Sequence, residues 1–502
     1  MKKHIRIIAF VLVLLMVAGM LAGCKKDEKP TDTTTTPAPT TTTTGNGGGG
    51  TTTATPPDTT TEYVPPDVSG YEFRFGSGGG PLPPPNPANM MQEKWLDEIQ
   101  ALEDELDISF VGVDAGDVKQ TVLAAGMAGT LLADMLHGDT KDTWALAVAG
   151  VLLPVDGDTM MNAGMNSYDD TRWWQPLTEG SRLFDEYRWG VQVASEYYPP
   201  ETGYFLAFNP VIVKATGVEG ANDLYGLVRS KKWTWEKYTE IAKAACFDED
   251  GDGIYDIWGS GTTALGNEMN TNGVEWIAKD AASGKWTFAM NSPNGIAMLE
   301  IFKEINNYNY QTQTEGKVVN DGRIWFQNGN AAFCGCDMQR AGGRVIAEAV
   351  MSAGIVPLPL GPNATEYRAT NQWSRTYCFQ NSNPDLEKTV YIANRWADIM
   401  TNDSWQQSLW DKTICRTDDD FDMVVNYIVP YFKVNTAVMH PDMWPMIDDV
   451  TTGSFLSQGG VLQEILYGTS ISTVMETTAT EFNKLIDEWW ETYTSKISFS
   501  GR

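Results

Sequence analysis

From Tyr71 onward the apolar positions switch repeatedly between two periods. Tyr71, Phe73 and Phe75 recur every second residue, the spacing of a half-buried strand. Met91, Trp95, Ile99, Leu102 and Leu106 follow on a single helical stripe. Ile108 to Val113 then reads as a strand, Asp117 to Gly126 as a short helix, and Ala133 to His137 as a strand. Lys141 to Ala149 reads as a helix closed by Gly150. Further on, Thr234 caps a helix whose buried face is Trp235, Tyr238, Ile241, Ala242 and Ala245. Asn383 is the cap and Pro384 the first residue of a helix with Leu386, Val390, Ala393, Ala397 and Met400 on one stripe. The last helix starts near Thr473 with Glu476 as capping-box partner and carries Val474, Phe482, Leu485 and Trp489. Strands alternating with helices predict mainly parallel sheets covered by helices on both faces. Ligands of such sheets lie beyond the carboxyl ends of the strands, here the loops Gly76 to Gly80, Val113 to Asp117 and Gly138 to Thr140.

Two stretches precede that pattern. Lys2, Lys3 and Arg6 stand ahead of an apolar run from Ile7 to Ala22, short for a bilayer-spanning helix of ~20 residues. The run ends in Leu21-Ala22-Gly23-Cys24, so residues 1–23 read as an export signal of the lipoprotein type with Cys24 as the lipidated residue. A plain signal peptide or an uncut anchor is the alternative. Residues 24–69 are largely Thr, Pro and Gly and too poor in apolar groups to offset ordering entropy, which predicts a disordered tether. As a flexible coil it reaches about 35–40 Å; a glycosylated, stiffer stalk is the other reading. The remainder, residues 70–502, is too long for one core and fits two lobes.

Charge and cysteine narrow the function. The formal net charge is −29, and loss of the signal's basic residues makes it more negative, which excludes nucleic acid and anionic lipid as partners. Beyond Cys24 the cysteines are Cys246, Cys334, Cys336, Cys378 and Cys415, with one C-x-C and no C-x-x-C, so buried free thiols are expected and one disulfide is the alternative. Three histidines, one of them in the signal, exclude a histidine-built zinc site. The chain has no phosphate-binding glycine loop, H-E-x-x-H or G-x-S-x-G.

The stretch KKWTWEKYTEIAKAACFDEDGDGIYDIWG, Lys231 to Gly259, joins the Thr234-capped helix to an acidic loop. Asp248, Asp250 and Asp252 fall at positions 1, 3 and 5 of an EF-hand-like loop, the Ile254 carbonyl at 7 and Asp256 at 9. Position 12 is Gly259 rather than a bidentate Glu. The loop reads equally as a structural calcium site or as a turn capped by its own backbone bonds. A Trp-bearing helix start followed by this D-x-D-G-D-G-x-x-D turn resembles the extracellular solute-binding proteins of family 1, the sugar-binding lipoproteins that feed ABC importers. YRWGVQVASEYYPPETGYFLAFNP is similar to that family's first passage between lobes and the strand after it, here ending in Phe208-Asn209. FQNGNAAFCGCDMQRA resembles its Phe-x-x-Gly-x-Ala-Ala-Phe strand, and GIVPLPLGP its returning strand.

The resemblance implies a type II periplasmic-binding-protein-like α/β fold with an interlobe cleft. Lobe 1 would be residues 70–196 with 357–400, and lobe 2 residues 197–356 with 401–495. It implies a carbohydrate ligand, an ABC permease as partner, a monomer held by lipid on the outer face of the cytoplasmic membrane, no required cofactor and no catalysis. Loop aromatics with neighbouring polar groups suit a sugar, whose C–H face lies on a ring while its hydroxyls take charged and amide groups. The candidates are Glu196, Tyr197, Trp276, Asp337, Arg340, Trp373, Arg375 and Trp444, with Trp173, Trp174 and Tyr198 also in predicted loops. A surface glycan hydrolase working through paired carboxylates, or a glycan-adhesion lipoprotein, is the competing reading.

Overall fold

A computed structural model describes residues 64–78, 90–195, 201–264, 266–310, 322–338, 345–401, 405–447 and 460–500, all within the compact unit Val64–Arg502. The export signal, Cys24 and the tether up to residue 63 lie outside the described residues, as do Glu196, Tyr197, Tyr198 and Arg340. No described helix is long and apolar enough to cross a membrane.

The alternation seen in the sequence builds two sheets. Strands β1 (Tyr71–Ser77), β2 (Ile108–Asp114), β3 (Met135–Asp139) and β4 (Leu152–Leu153) belong to the first. Strands β5 (Phe205–Phe208), β6 (Trp258–Ser260), β7 (Ala331–Cys336) and β8 (Gly354–Pro357) make the second. Short β9 (Ala369–Asn371) comes next, then β10 (Arg375–Gln380), which returns to the first sheet, and β11 (Phe432–Val434). The strand orders are β2-β1-β3-β10-β4 and β8-β5-β7-β6. The expectation of mainly parallel sheets needs correction. β1 runs parallel to β2 and β3, and β7 to β6, but β10 is antiparallel to β3 and β4, and β5 is antiparallel to β7 and β8. Strands that arrive from the other sheet enter from the opposite end, so no crossover helix fixes their direction.

Local chemistry explains the elements. Phe73 and Phe75 point into the core of the first sheet, Phe73 edge-on to Phe110 and Phe75 against Tyr377 and Trp396. Helix α1 (Met90–Leu106) buries Ile99 and Leu102. In α2 (Val118–Met127) the Asp117 carboxylate accepts the Gln120 N–H at 2.9 Å, while α3 (Thr140–Ala149) ends on Gly150 at φ 75°, the left-handed geometry glycine permits. Asn209 caps α4 (Pro210–Ala215), accepting from Val211 and Ile212, and Thr234 caps α5 (Trp235–Ala245). Two helix starts differ from expectation. Helix α6 spans Leu386–Met400, because Asn383 accepts from the Asp385 N–H and donates to Thr389, holding Pro384 in a turn. Helix α7 spans Ile471–Ser500, because the Ser470 hydroxyl accepts the Thr473 N–H; Glu476 is not its capping-box partner.

Three stretches of chain lie side by side between the sheets. The Tyr204 N–H donates to the Thr370 carbonyl at 2.9 Å, β9 pairs parallel with β11, and the Asn435 N–H donates to the Asn371 carbonyl at 3.0 Å. The approach is so close that a Cβ on Gly203 would sit 2.1 Å from the Ala369 carbonyl carbon; only glycine fits. The strand Gly354–Pro357 stays in the second sheet, so the return passage follows it. Helix α7 touches widely separated parts of the chain: Asn483 accepts the Phe288 N–H at 2.8 Å, and Trp189 Nε1 donates to the Tyr493 hydroxyl at 3.3 Å.

Candidate functional site

At the carboxyl end of β3 the chain turns directly into α3, which places Asp139 and Lys141 beside the returning passage. Arg375 opens β10 in register with Asp139. Its Nε lies 3.3 Å from Asp139 Oδ1, its N–H donates to Glu201 Oε2 at 2.6 Å, and its carbonyl accepts Gln192 Nε2 at 2.6 Å. The Lys141 ammonium lies 3.7 Å from Asp139 and 5.0 Å from the centroid of the Trp373 ring. Trp373 is half-buried, and its backbone N–H donates to Asn371 Oδ1 at 2.8 Å, which fixes the start of the turn carrying it. The result is a half-buried ring met by the Lys141 ammonium, which Asp139 links to an Arg375 side chain still 41% exposed.

Beneath this group lie a buried imidazole, a cluster of linked amides and a buried carboxyl. The His137 imidazole stacks on Tyr377 with centroids 4.4 Å apart, and burial, aided by the Arg375 charge, pulls its pKa down to about 3, so it stays neutral. Asn267 donates to Gln372 at 2.6 Å and accepts from Thr370 and Asn435 at 3.2 and 3.1 Å, tying the 3-10 turn Asn267–Asn272 to two of the three passages. Next to it, Glu268 is fully buried and neither carboxyl oxygen has a hydrogen-bond partner among the described residues. Burial pushes that carboxyl up to about 7, against the smaller pull of nearby N–H groups and the Thr263 hydroxyl.

The residues singled out in the sequence separate on this frame. Trp373 and Arg375 meet. Asp337 follows β7 directly and is buried at the end of the second sheet, where Cys336 pairs with Phe205, four residues after Glu201. Trp276 has no open face: it is fully buried, with its ring against Phe288. Trp173 and Trp174 are likewise core residues despite sitting in irregular chain. Trp444 lies on the short helix Met443–Ile447. Asp139, Lys141 and Glu201 were not among the candidates. The signal for Asp139 was present in the strand-end loop Gly138 to Thr140, with Lys141 opening the helix after it, and Glu201 sits within the passage between the two sheets.

The acidic loop is a chain of carboxylate turns. Asp248 accepts the Gly251 and Gly253 N–H groups at 2.7 and 2.9 Å, Asp250 that of Asp252, Asp252 that of Ile254, and Asp256 that of Glu249. One carboxylate oxygen each from Asp248, Asp250 and Asp256 lies within 4.8 Å of the others, a spacing that fits a divalent cation. None of the five cysteines beyond Cys24 is joined in a disulfide, as expected.

No family model and no curated protein matches the sequence. Solved structures do match in fold. The ABC substrate-binding protein Lmo0181 from Listeria monocytogenes, in complex with cycloalternan, superposes with TM-score 0.56 at 13% identity, over 84% of this chain and 100% of that one. UgpB from Mycobacterium tuberculosis, in complex with glycerophosphocholine, gives 0.54 at 16% identity, over 83% and 98%. The cyclic alpha-maltosyl-1,6-maltose binding protein from Arthrobacter globiformis gives 0.54 at 13% identity, over 84% and 100%. The chain has the two-sheet α/β fold of type II periplasmic binding proteins.

Proposed function

We propose that the chain is an extracytoplasmic solute-binding protein of an ABC importer, which captures a carbohydrate and delivers it to a permease without making or breaking a bond. The observation that carries this reading is the half-buried ring of Trp373, met by Lys141 and linked through it to the Asp139–Arg375 ion pair at the carboxyl end of β3, beside the passages between the sheets. A sugar ring would lay its C–H face on the indole and offer its hydroxyls to Asp139 and Arg375. Two structures of the same fold carry glycans in their names, cycloalternan and cyclic alpha-maltosyl-1,6-maltose. The two sheets would be the cores of lobes 70–196 with 357–400 and 197–356 with 401–495, closing on the ligand as a hinge. Glu196, Tyr197, Asp337, Arg340 and Trp444 would complete the cleft. Cys24 would carry the lipid, placing a monomer on the outer face of the cytoplasmic membrane.

Thermal unfolding of residues 64–502 against a panel of mono- and oligosaccharides tests this. A ligand at 100 times its dissociation constant stabilises by about 2.7 kcal/mol. A shift with one glycan that is recovered intact supports the reading; a consumed glycan makes the protein a hydrolase, and no shift with any glycan sinks the carbohydrate assignment. The loop Asp248 to Asp256 would hold calcium as a structural ion through its three converging carboxylates. A chelator should then lower the unfolding temperature and calcium restore it.

A further inference from the structure

The indole on which a sugar would stack is already covered. Lys141 is the second residue of α3, and its ammonium lies 5.0 Å from the Trp373 centroid, inside the ~6 Å range of a cation–π contact. Asp139 holds the same ammonium at 3.7 Å while also engaging Arg375. The lysine is thus clamped between a carboxylate and a ring, and the backbone N–H of Trp373 is pinned on the Asn371 side chain. The contact stands at the solvent edge, with 30% of the Lys141 side chain and 26% of that of Asp139 exposed. At such an edge both the ion pair and the cation–π contact are weak enough for a ligand to displace.

We infer that Lys141 is an internal occupant of the ligand platform: a sugar ring must displace its ammonium from the Trp373 face, and the affinity of the site is set partly by that displacement. The inference rests on the reading of Trp373 as a carbohydrate platform. Its logic is that of a binding-competent state populated only in part, where the apparent dissociation constant is the intrinsic one divided by the competent fraction. Removing the ammonium raises that fraction to one. The opposite role, a lysine that donates to ligand hydroxyls, predicts the opposite sign.

The test is calorimetric titration of wild type, Lys141→Met, Lys141→Arg, Trp373→Ala and the Lys141→Met/Trp373→Ala double variant with maltotriose, cellotriose and chitotriose. Methionine keeps the helix propensity and the length of the side chain without its charge. The expected result is binding ~2- to 10-fold tighter in Lys141→Met, near wild-type affinity in Lys141→Arg, and no gain from Lys141→Met once Trp373 is alanine. A wild type that binds a probe while Lys141→Met binds it equally or more weakly overturns the inference and leaves the carbohydrate reading in place. Binding of no probe by any of the five proteins overturns both.

Discussion

Glu201 accepts the backbone N–H of Arg375 at 2.6 Å, joining the outgoing and the returning passages between the two sheets across 174 residues of sequence. The carboxylate is nearly buried, two residues before the glycine that lies against Ala369. The bond fixes the start of β10, and so the place from which the Arg375 side chain reaches Asp139.

Replacing Glu201 by alanine leaves that N–H without its acceptor. The expected cost is about 1.5–3 kcal/mol, the range for a hydrogen bond to a charged group, and Glu201→Gln should recover part of it. Urea unfolding of the three proteins measures this, and equal midpoints would show that the bond adds nothing to stability.

Glu268 predicts a pH dependence of stability. Its folded carboxyl is raised from 4.5 to about 7, so the folded chain keeps a proton that the unfolded chain has released across that window. The contribution is full below about pH 4.5 and is lost as pH rises through about 7. Glu268→Gln should therefore be more stable than wild type at pH 8, by on the order of 1–3 kcal/mol, and closer to it at pH 4.5. Parallel stability curves for the two proteins would contradict this.

Trp373 and Trp276 should respond oppositely to alanine. Trp373→Ala should weaken glycan binding ~10-fold or more at a smaller cost in stability than Trp276→Ala, since its ring is only half-buried. Trp276→Ala empties a fully buried position and should cost about 3–5 kcal/mol. Calorimetric titration and thermal unfolding of both variants separate the roles.

Asp248→Ala removes the acceptor of two loop N–H groups. A loss of about 1–2 kcal/mol is expected even in chelator, with loss of any calcium-dependent shift. A calcium-dependent shift that survives the substitution would place the ion elsewhere.

The five thiols should react only on unfolding. Cys334 and Cys336 are wholly buried, and burial pushes Cys246 up to about 11 and Cys378 and Cys415 to about 12. At pH 8 a thiol reagent should titrate five groups in denaturant and few in buffer, with no change in mass on reduction of residues 64–502. Fewer groups in denaturant would indicate a disulfide.

Several features were legible in the sequence because they depend on near neighbours. Phe73 and Phe75 alternate because one face of β1 is covered, and the stripe Val390, Ala393, Ala397 and Met400 is buried because a helix brings those positions to one side. The carboxylate turns of Asp248 to Asp256 bind N–H groups two to seven residues away, so their spacing alone announced them. Helix starts shifted by two residues where a side chain such as Asn383 found a different local partner. Strand direction in β10 was not legible, since it depends on where a strand arrives from rather than on what it contains.

The site was decided by tertiary structure. Trp173, Trp276 and Trp373 all lie in irregular chain, yet two are sealed in the core and one stands at an edge. The difference lies in what packs over each ring: Phe288, paired with Ile277 in the hairpin that follows Trp276, lies against Trp276 and is itself backed by Phe482 of α7, while Trp373 meets a lysine that solvent still reaches. Asp139 and Arg375 are 236 residues apart and meet only because β10 returns beside β3. Periodicity records which side of an element faces inward; which loop is left open depends on contacts between elements far apart in the chain, and no local pattern carries that information.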